Sequence, residues 1–448
     1  MKKKLLLINP VVKNTNCTFN EPLALGIIAA MSIDKFHVEL IDENYEEFQF
    51  VDADLVAMTA TTFSINRAIH ISKEYAKKNI PVIIGGVHVS SCPEAHFNYF
   101  TSIVKGNAEN LWGLVVEDFE KNELKKMYVS RTSTKVFFPP YRDLFLKYNY
   151  PASSIETSRG CPNNCDFCCV NSFHDNIYYE KSTSVIIDEI KKLKNKTVFF
   201  VDDNFVGNLR NTERIEILIK ELIPLKIKWY AFSTMNIANH PKLLKLFKES
   251  GCVMLFIGFE TTDMSTLKSI NKKINIPNND RICFNDSVKL INKAGIGVMG
   301  GFIYGFDKES IEEVKKRRDE VLKSKINWFS ISILTPLPGS PLFKRMIKED
   351  RILKKNFPED WALYNFCNTI HKPDKILPED LDQFFKESFS FCYNKKNTLK
   401  RLLKTLFSLK SLSQTYFFFL WVTNHYMHIR DYTYISHFMK CGKRIYSK

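Results

Sequence analysis

Thr157-Ser-Arg-Gly-Cys-Pro-Asn-Asn-Cys-Asp-Phe-Cys-Cys169 decides how this chain is read. Cys161, Cys165 and Cys168 fall in a C-x3-C-x2-C spacing. Three thiolates so close together suit an iron–sulfur cluster, because soft sulfur matches iron and a short loop can wrap a compact cluster. A four-iron cluster usually takes four cysteines. Three would leave one iron open to bind a small molecule directly. Gly160 and Pro162 keep the loop out of regular structure, and Phe167 places a ring beside the last ligand. The competing reading is a zinc knuckle with His174 as fourth ligand, or three buried thiols. Cys169 adjoins Cys168 too closely to share a cluster with it and reads as a packing residue.

On either side of this loop the sequence alternates strand and helix. Downstream, apolar runs at Val198–Val201, Trp229–Ser233, Met254–Gly258, Val298–Ile303 and Trp328–Leu334 read as strands. Helical stretches separate them, several closed by Gly as at Gly251 and Gly295. With Ser154–Thr157 before the cluster loop this makes a partial barrel of strand–helix units over residues 151–345. Sites in such barrels lie at the carboxyl ends of the strands, where the cluster loop also sits. Upstream, Lys4–Asn9, Val38–Ile41, Leu55–Ala60, Val82–Ile84 and Ile103–Val104 read as strands, with helices at Pro22–Ser32, Asn66–Lys78 and Glu109–Lys121. That rhythm predicts an α/β, doubly wound, flavodoxin-like domain over 1–124, whose ligands bind at the strand ends. Residues 125–150, broken by Pro139-Pro140, read as a linker, and 346–448 as a basic, mostly helical region.

The chain has 448 residues, 45 % hydrophobic and 25 % charged, in the range of a globular protein of two or three domains. Its eleven cysteines, without a secretory h-region, argue for reduced thiols and metal rather than disulfides. No apolar run approaches membrane-spanning length; Tyr416–Val422 is the densest. A cytoplasmic protein is expected. The net charge of +15 is concentrated at the end: Lys395–Lys448 holds eleven Lys/Arg against Asp431 alone. The body is near neutral, so no nucleic-acid partner is expected. Leu399, Leu402, Leu403, Leu406 and Leu409 recur at helical spacing among Lys400, Arg401, Lys404 and Lys410. Such a helix either contacts an anionic membrane surface or docks on the barrel with its basic side in water.

The cluster loop, with its aromatic residue before the third Cys, resembles that of the radical S-adenosylmethionine (SAM) superfamily. In that family the open iron of a 4Fe-4S cluster chelates SAM, and an electron from the cluster cleaves it to a 5′-deoxyadenosyl radical. Further motifs are similar to the cobalamin-dependent branch: Asp202-Asp203-Asn204-Phe205, Gly258-Phe-Glu260-Thr261, Gly300-Gly301-Phe-x-Tyr-Gly305 and Thr335-Pro336-Leu-Pro-Gly-Ser-Pro341. The resemblance implies SAM contacts at Phe167, Asp202, Asp203, Glu260, Gly300, Gly301 and Pro336. Upstream strand ends resemble the cobalamin-binding domain that precedes many such barrels. They imply cobalamin contacts at Asn9, Pro10, Thr59, Thr61, Thr62, Gly85, Gly86, His88, Gly106 and Glu109. The D-x-H-x-x-G sequence that supplies a cobalt ligand in cobalamin mutases is absent. The other reading of residues 1–124 is a flavodoxin-like domain that holds no cofactor.

Trp361-x-x-Tyr364 and Leu377-Pro-Glu-Asp-Leu381 are similar to the extension of enzymes acting on hopanoids, phosphonates and tetrapyrroles. The resemblance implies a C-methyltransferase with cluster, SAM and cobalamin, acting on a small-molecule or lipid-like substrate and served by an electron donor such as flavodoxin or ferredoxin. Alternatives are an oxidative cyclase or rearrangement enzyme with the same cofactors, a tRNA methylthiotransferase, and a non-catalytic cobalamin or redox sensor. Upstream of residue 125 only Cys17 and Cys92 occur, which disfavours methylthiolation.

Overall fold

The structure, a computed structural model, describes residues 2–12, 20–130, 136–276 and 283–409. Cys17 and Tyr416–Val422 lie outside these described residues. Two parallel sheets of six strands each carry the molecule. The first runs in the order β2 (Phe36–Asp42), β1 (Lys3–Asn9), β3 (Leu55–Thr59), β4 (Val82–Gly85), β5 (Ser102–Lys105), β6 (Met127–Val129). The order reverses between β1 and β3, and such a switch point opens a crevice at the strand ends. These strands are continuous apolar runs because both faces are covered. Leu6, Ile8, Val56, Met58 and Ile84 enter one buried cluster. Leu5, Leu7, Leu55, Ala57 and Ile83 enter the other, under the helices Leu23–Ala30 and Trp112–Glu120.

β6 comes from the stretch read as linker, so the first sheet extends past residue 124. Its three residues are too few to show a period, and pairing with Ile103–Lys105 supplies what local sequence does not. The rest of that stretch ties the two sheets together. Arg142 Nη1 donates to Glu21 Oε2 at 2.5 Å, and its Nη2 donates to Glu189 Oε1 at 2.5 Å and to the Ser154 carbonyl at 2.8 Å. Glu21 belongs to the entry of the first helix, whereas Ser154 and Glu189 belong to the second unit.

The second sheet lays its strands almost in chain order: β7 (Ser153–Ile155), β10 (Thr197–Phe200), β11 (Lys228–Ser233), β12 (Cys252–Glu260), β13 (Gly297–Tyr304), β14 (Trp328–Ile333). Between β7 and β10 a small antiparallel pair, β8 (Ser158–Arg159) and β9 (Tyr179–Glu180), brackets the cysteine loop. Trp229, Phe200, Phe205 and Phe247, all fully buried, pack edge and face under the sheet.

The tail helix, Lys395–Leu409, docks on this second unit. Its orientation is not that of the leucine stripe. Arg401 is buried, donating to the Ile326 carbonyl at 2.8 Å beneath the Phe329 ring, and Thr405 is fully buried beside Asn327. Lys404 reaches the carbonyls that end the helix Ile311–Lys323. Leu399, Leu403 and Phe407 face outward, 59, 47 and 75 % exposed. The expected arrangement, basic side in water and leucines inward, is therefore reversed in part. Open helix-end carbonyls at the docking surface attract cations more strongly than a leucine stripe finds partners.

Candidate functional site

The cysteine loop is anchored before it begins. Asp202, at the end of β10, is buried and accepts bonds from Thr157 N, Thr157 Oγ1 (2.8 Å) and Ser158 Oγ (2.5 Å). Asp202, assigned by sequence to SAM or substrate, is thus occupied as a strut for the loop. Gly160 takes a positive φ of 80°, and a Cβ there would lie 2.2 Å from the Ile177 carbonyl oxygen, so only glycine turns the chain here. Cys165 is buried, and Cys161 and Cys168 are half-buried. Burial pushes the thiols up, Cys165 to about 11 and Cys168 to about 12. A bound metal ion reverses this by favouring the thiolate. Three thiols on one loop whose entry is fixed by Asp202 and Gly160 fit a cluster held by three cysteines.

Across from them stands Glu260, the last residue of β12, with φ of 64°. Its Oε1 accepts from Lys272 Nζ at 3.1 Å. Burial opposes the Lys272 charge, but Glu260 and the Cys165 and Cys168 sulfurs hold its ammonium well above the ordinary lysine range. Lys272 also lies 5.9 Å from the Phe167 ring. A cation between a carboxylate and the cluster sulfurs is a feature that the motif reading missed; Lys272 stands alone in a loop with no spacing to mark it. Gly301 has open space on its Cβ side, with only Gly258 Cα at 3.8 Å, and fits close approach of a ligand. On Gly300 a Cβ would meet Ile326 at 2.4 Å and Phe259 at 2.9 Å, so its smallness serves sheet–helix packing. Pro336 is buried in the turn after β14.

Between the two sheets lies a cavity of about 340 Å³. Thr59, Gly85, Gly86, Gly106 and Glu109 line one side; Glu156, Arg159, Phe173, His174 and Asp203 line the other. An apolar end runs between Leu25, Ile28 and Trp112, below the strand ends. Gly86, at φ of 108°, leaves no room for a Cβ, which would sit 2.6 Å from the Ala60 carbonyl oxygen. Arg159 joins the two walls: Nη2 donates to Glu109 Oε1 at 2.5 Å and Nε to Glu156 Oε1 at 2.8 Å. Its Nη1 is buried and has no hydrogen-bond partner among the described residues, a donor left for a ligand. Asp203 is pushed up to about 7 by burial and by the neighbouring Asp202 and Glu156. His174 lies 3.7 Å from it and is held down at about 4 by burial and by Arg159, so it is neutral. Arg159 and Glu156 carry no motif spacing and were assigned no role by sequence, although Arg159 lies inside the decisive stretch; His174 was weighed there only as a zinc ligand.

The remaining expected cobalamin residues do not line the cavity. Asn9 donates to Asp42 at 2.9 Å, and Pro10 is buried beside it. Thr61 pairs with Ser64. Thr62 Oγ1 lies 3.1 Å from His88 Nδ1, and the His88 ring turns away from the cavity toward His96. A side chain two residues past a glycine turn can point to either face, and the sequence does not say which.

Residues 155–321 match the family model described as the radical SAM superfamily. Over 90 % of its length the chain is 27 % identical to bacteriochlorophyllide d C-12(1)-methyltransferase of Chlorobaculum tepidum, of which it covers 90 %. It is also 27 % identical to the hopanoid C-2 methylase of Rhodopseudomonas palustris, over 86 % of this chain and 73 % of that one. To the anaerobic magnesium-protoporphyrin IX monomethyl ester cyclase of Cereibacter sphaeroides it is 24 % identical, over 78 % of this chain and 61 % of that one. Among solved structures, the radical SAM methyltransferase TsrM of Kitasatospora setae, with cobalamin and a [4Fe-4S] cluster bound, shares the fold. Its TM-score is 0.62 at 17 % identity, over 86 % of this chain and 85 % of that one. With the cysteine loop, the Glu260–Lys272 pair and these matches together, residues 155–321 form a radical SAM domain, and the chain is an enzyme that works with SAM and a 4Fe-4S cluster.

Proposed function

We propose that the chain is a cobalamin-dependent radical SAM C-methyltransferase whose reaction takes place in the cavity between its two sheets. The observation that carries this reading is that one cavity joins the glycine-lined strand ends of the first sheet to Asp203 and His174 beside the cluster loop. Its residues fit the cofactors. Cys161, Cys165 and Cys168 would hold the cluster. Glu260 would accept the ribose hydroxyls of SAM while Lys272 balances charge near the thiolates. Gly85, Gly86 and Gly106 would let a flat ring approach the backbone, with Thr59 and the free Arg159 Nη1 as bonding partners for its amide arms. The apolar end between Leu25, Ile28 and Trp112 would take a nonpolar arm of the ligand. When bound, cobalamin supplies a transferable methyl group, and SAM on the cluster supplies a hydrogen-abstracting radical. The chain's own part is to bring both to one substrate carbon and to exclude water.

A carboxyl on the cavity wall that changes charge near neutrality beside a neutral imidazole suits proton handling at that carbon. The cyclase among the relatives supports a second reading, in which the same constellation closes a ring without methyl transfer. A low-potential electron donor is required in either case. The exposed Leu399–Leu403–Phe407 stripe, with Lys395, Lys396 and Lys400 exposed around it, supports delivery of a lipid-like substrate at an anionic membrane surface. Among the described residues no helix is long and apolar enough to cross a membrane.

The direct test is cobalamin binding by the full chain, read from its absorption spectrum. One equivalent is expected, and Gly86→Val, which fills the turn under the cavity, is expected to lose it while keeping cluster iron. Binding that is absent from the wild type, or unchanged in Gly86→Val, refutes the assignment.

A further inference from the structure

Behind the glycine turn, away from the cavity, three ligand atoms converge. His88 Nε2 and His96 Nε2 are 2.9 Å apart. Cys92 Sγ lies 3.7 Å from the first and 3.8 Å from the second. Both imidazoles are buried, 1 and 0 % exposed, and the cysteine is half-buried. The sequence H-x3-C-x3-H builds this directly. The helix Val87–Ser91 puts Cys92 one turn from His88, with Cys92 N bonded to the His88 carbonyl at 3.2 Å. The turn Pro93–His96 then brings His96 back over both. Among the described residues this is the one group of three His, Cys, Asp or Glu side chains with ligand atoms so close together.

We propose that His88, Cys92 and His96 form a zinc site that pins the glycine turn to the C-terminal segment around Trp361. Tetrahedral zinc at about 2.0 Å from nitrogen and about 2.3 Å from sulfur places nitrogen ligands about 3.3 Å apart and nitrogen about 3.6 Å from sulfur. The observed triangle is within a few tenths of an ångström of that. The second nitrogen of His88 lies 3.1 Å from Thr62 Oγ1, the outer contact that fixes a ligating ring. Trp361 stands edge-on to His88 at 4.9 Å and stacks on Phe357 at 3.7 Å, so the ion would sit where the first sheet meets the C-terminal segment. A metal also accounts for burying two imidazoles against each other: among the described residues His96 Nδ1 has no hydrogen-bond partner. Binding converts the Cys92 thiol to thiolate and releases one proton to solvent, with no change of oxidation state. Three protein ligands leave one position for water, and a borderline-soft ion suits the mixed nitrogen and sulfur set.

The test uses the full chain with its cluster reconstituted, exposed to zinc chloride and desalted, with zinc and iron counted by mass spectrometry. On the order of one zinc per chain is expected. It should persist in Cys161→Ala/Cys165→Ala/Cys168→Ala, which removes iron. It should fall to about a tenth or less in Cys92→Ala/His96→Ala with iron retained. Zinc-edge absorption should show a single sulfur at about 2.3 Å with nitrogen or oxygen at about 2.0 Å. The sulfur should vanish in Cys92→Ser, a change small enough to preserve the fold. Absence of zinc from the wild type would show that His88 and His96 share only a hydrogen bond. Zinc that survives the double variant, or departs with the cluster cysteines, equally overturns the site.

Discussion

Glu260 holds a left-handed backbone, φ 64°, that costs a non-glycine residue on the order of 1 kcal/mol or more. Its carboxylate is set against Lys272 at 3.1 Å, and the surrounding strand end fixes it there. Glu260→Gln should keep the shape, leave Lys272 without its counter-charge, and weaken SAM binding roughly ten- to a hundredfold, as loss of a charge-assisted bond does. Equilibrium dialysis with labelled SAM on the cluster-loaded protein measures this; an unchanged affinity would remove Glu260 from the SAM site. Asp203 gives a pH signature. Its folded pKa of about 7 lies above its ordinary 3.8, so the folded protein binds the extra proton. Stability is therefore lost as pH rises between those two values, and Asp203→Asn, which cannot ionise, should gain over wild type across that window and level off above it. Melting temperatures from pH 4 to pH 8 test the sign. A constant difference would mean that Asp203 does not titrate as its surroundings imply. At this scale residue type and spacing singled out Cys161, Cys165 and Cys168, and the structure places them on one loop. The sequence was misleading where a motif holds two like residues: of Asp202 and Asp203, one braces the loop and one faces the cavity, and only packing decides which.

The elements themselves were read well because buried parallel strands are unbroken apolar runs and two of the helices between them run into a glycine, Gly251 and Gly295. The reading failed at short pieces. β6, β8 and β9 have three residues or fewer and exist only through their partners. Of these, β8 and β9 frame the cluster loop, and Gly160 sits at their junction. Gly160→Ala should cost roughly 2 kcal/mol from backbone strain alone. It should also displace Ile177 and lower iron retention, measured as iron per chain after gel filtration. Full retention would mean that the loop tolerates a different turn. The tail helix shows the opposite failure: its leucine period was real, but Arg401 and Thr405 won the buried face by meeting carbonyls and Asn327. The outward stripe yields a membrane prediction. Leu399→Ser/Leu403→Ser/Phe407→Ser should reduce co-sedimentation with anionic vesicles several-fold, and salt should do the same to wild type. Equal pelleting of the two proteins would end the case for a peripheral helix.

At the scale of the whole molecule, function depends on holding two sheets at a fixed separation. Arg142, bonded to Glu21, Glu189 and Ser154, and Arg159, bonded to Glu109 and Glu156, span that boundary. Neither could be recognised from sequence, since each partner lies dozens of residues away from at least one other. Arg142→Ala should leave Glu21 without its counter-ion, while Glu189 keeps Lys181, and destabilise the protein by about 3 kcal/mol. The account's central claim is that methyl transfer and radical formation meet in the cavity between the sheets. Its most direct test is anaerobic incubation of the reconstituted enzyme with SAM deuterated in its methyl group, dithionite and extracted lipids and tetrapyrroles, with and without cobalamin. The account predicts 5′-deoxyadenosine together with a product that carries the deuterated methyl group, formed only when cobalamin is present. A new product without the label, or label transfer that does not need cobalamin, would contradict it.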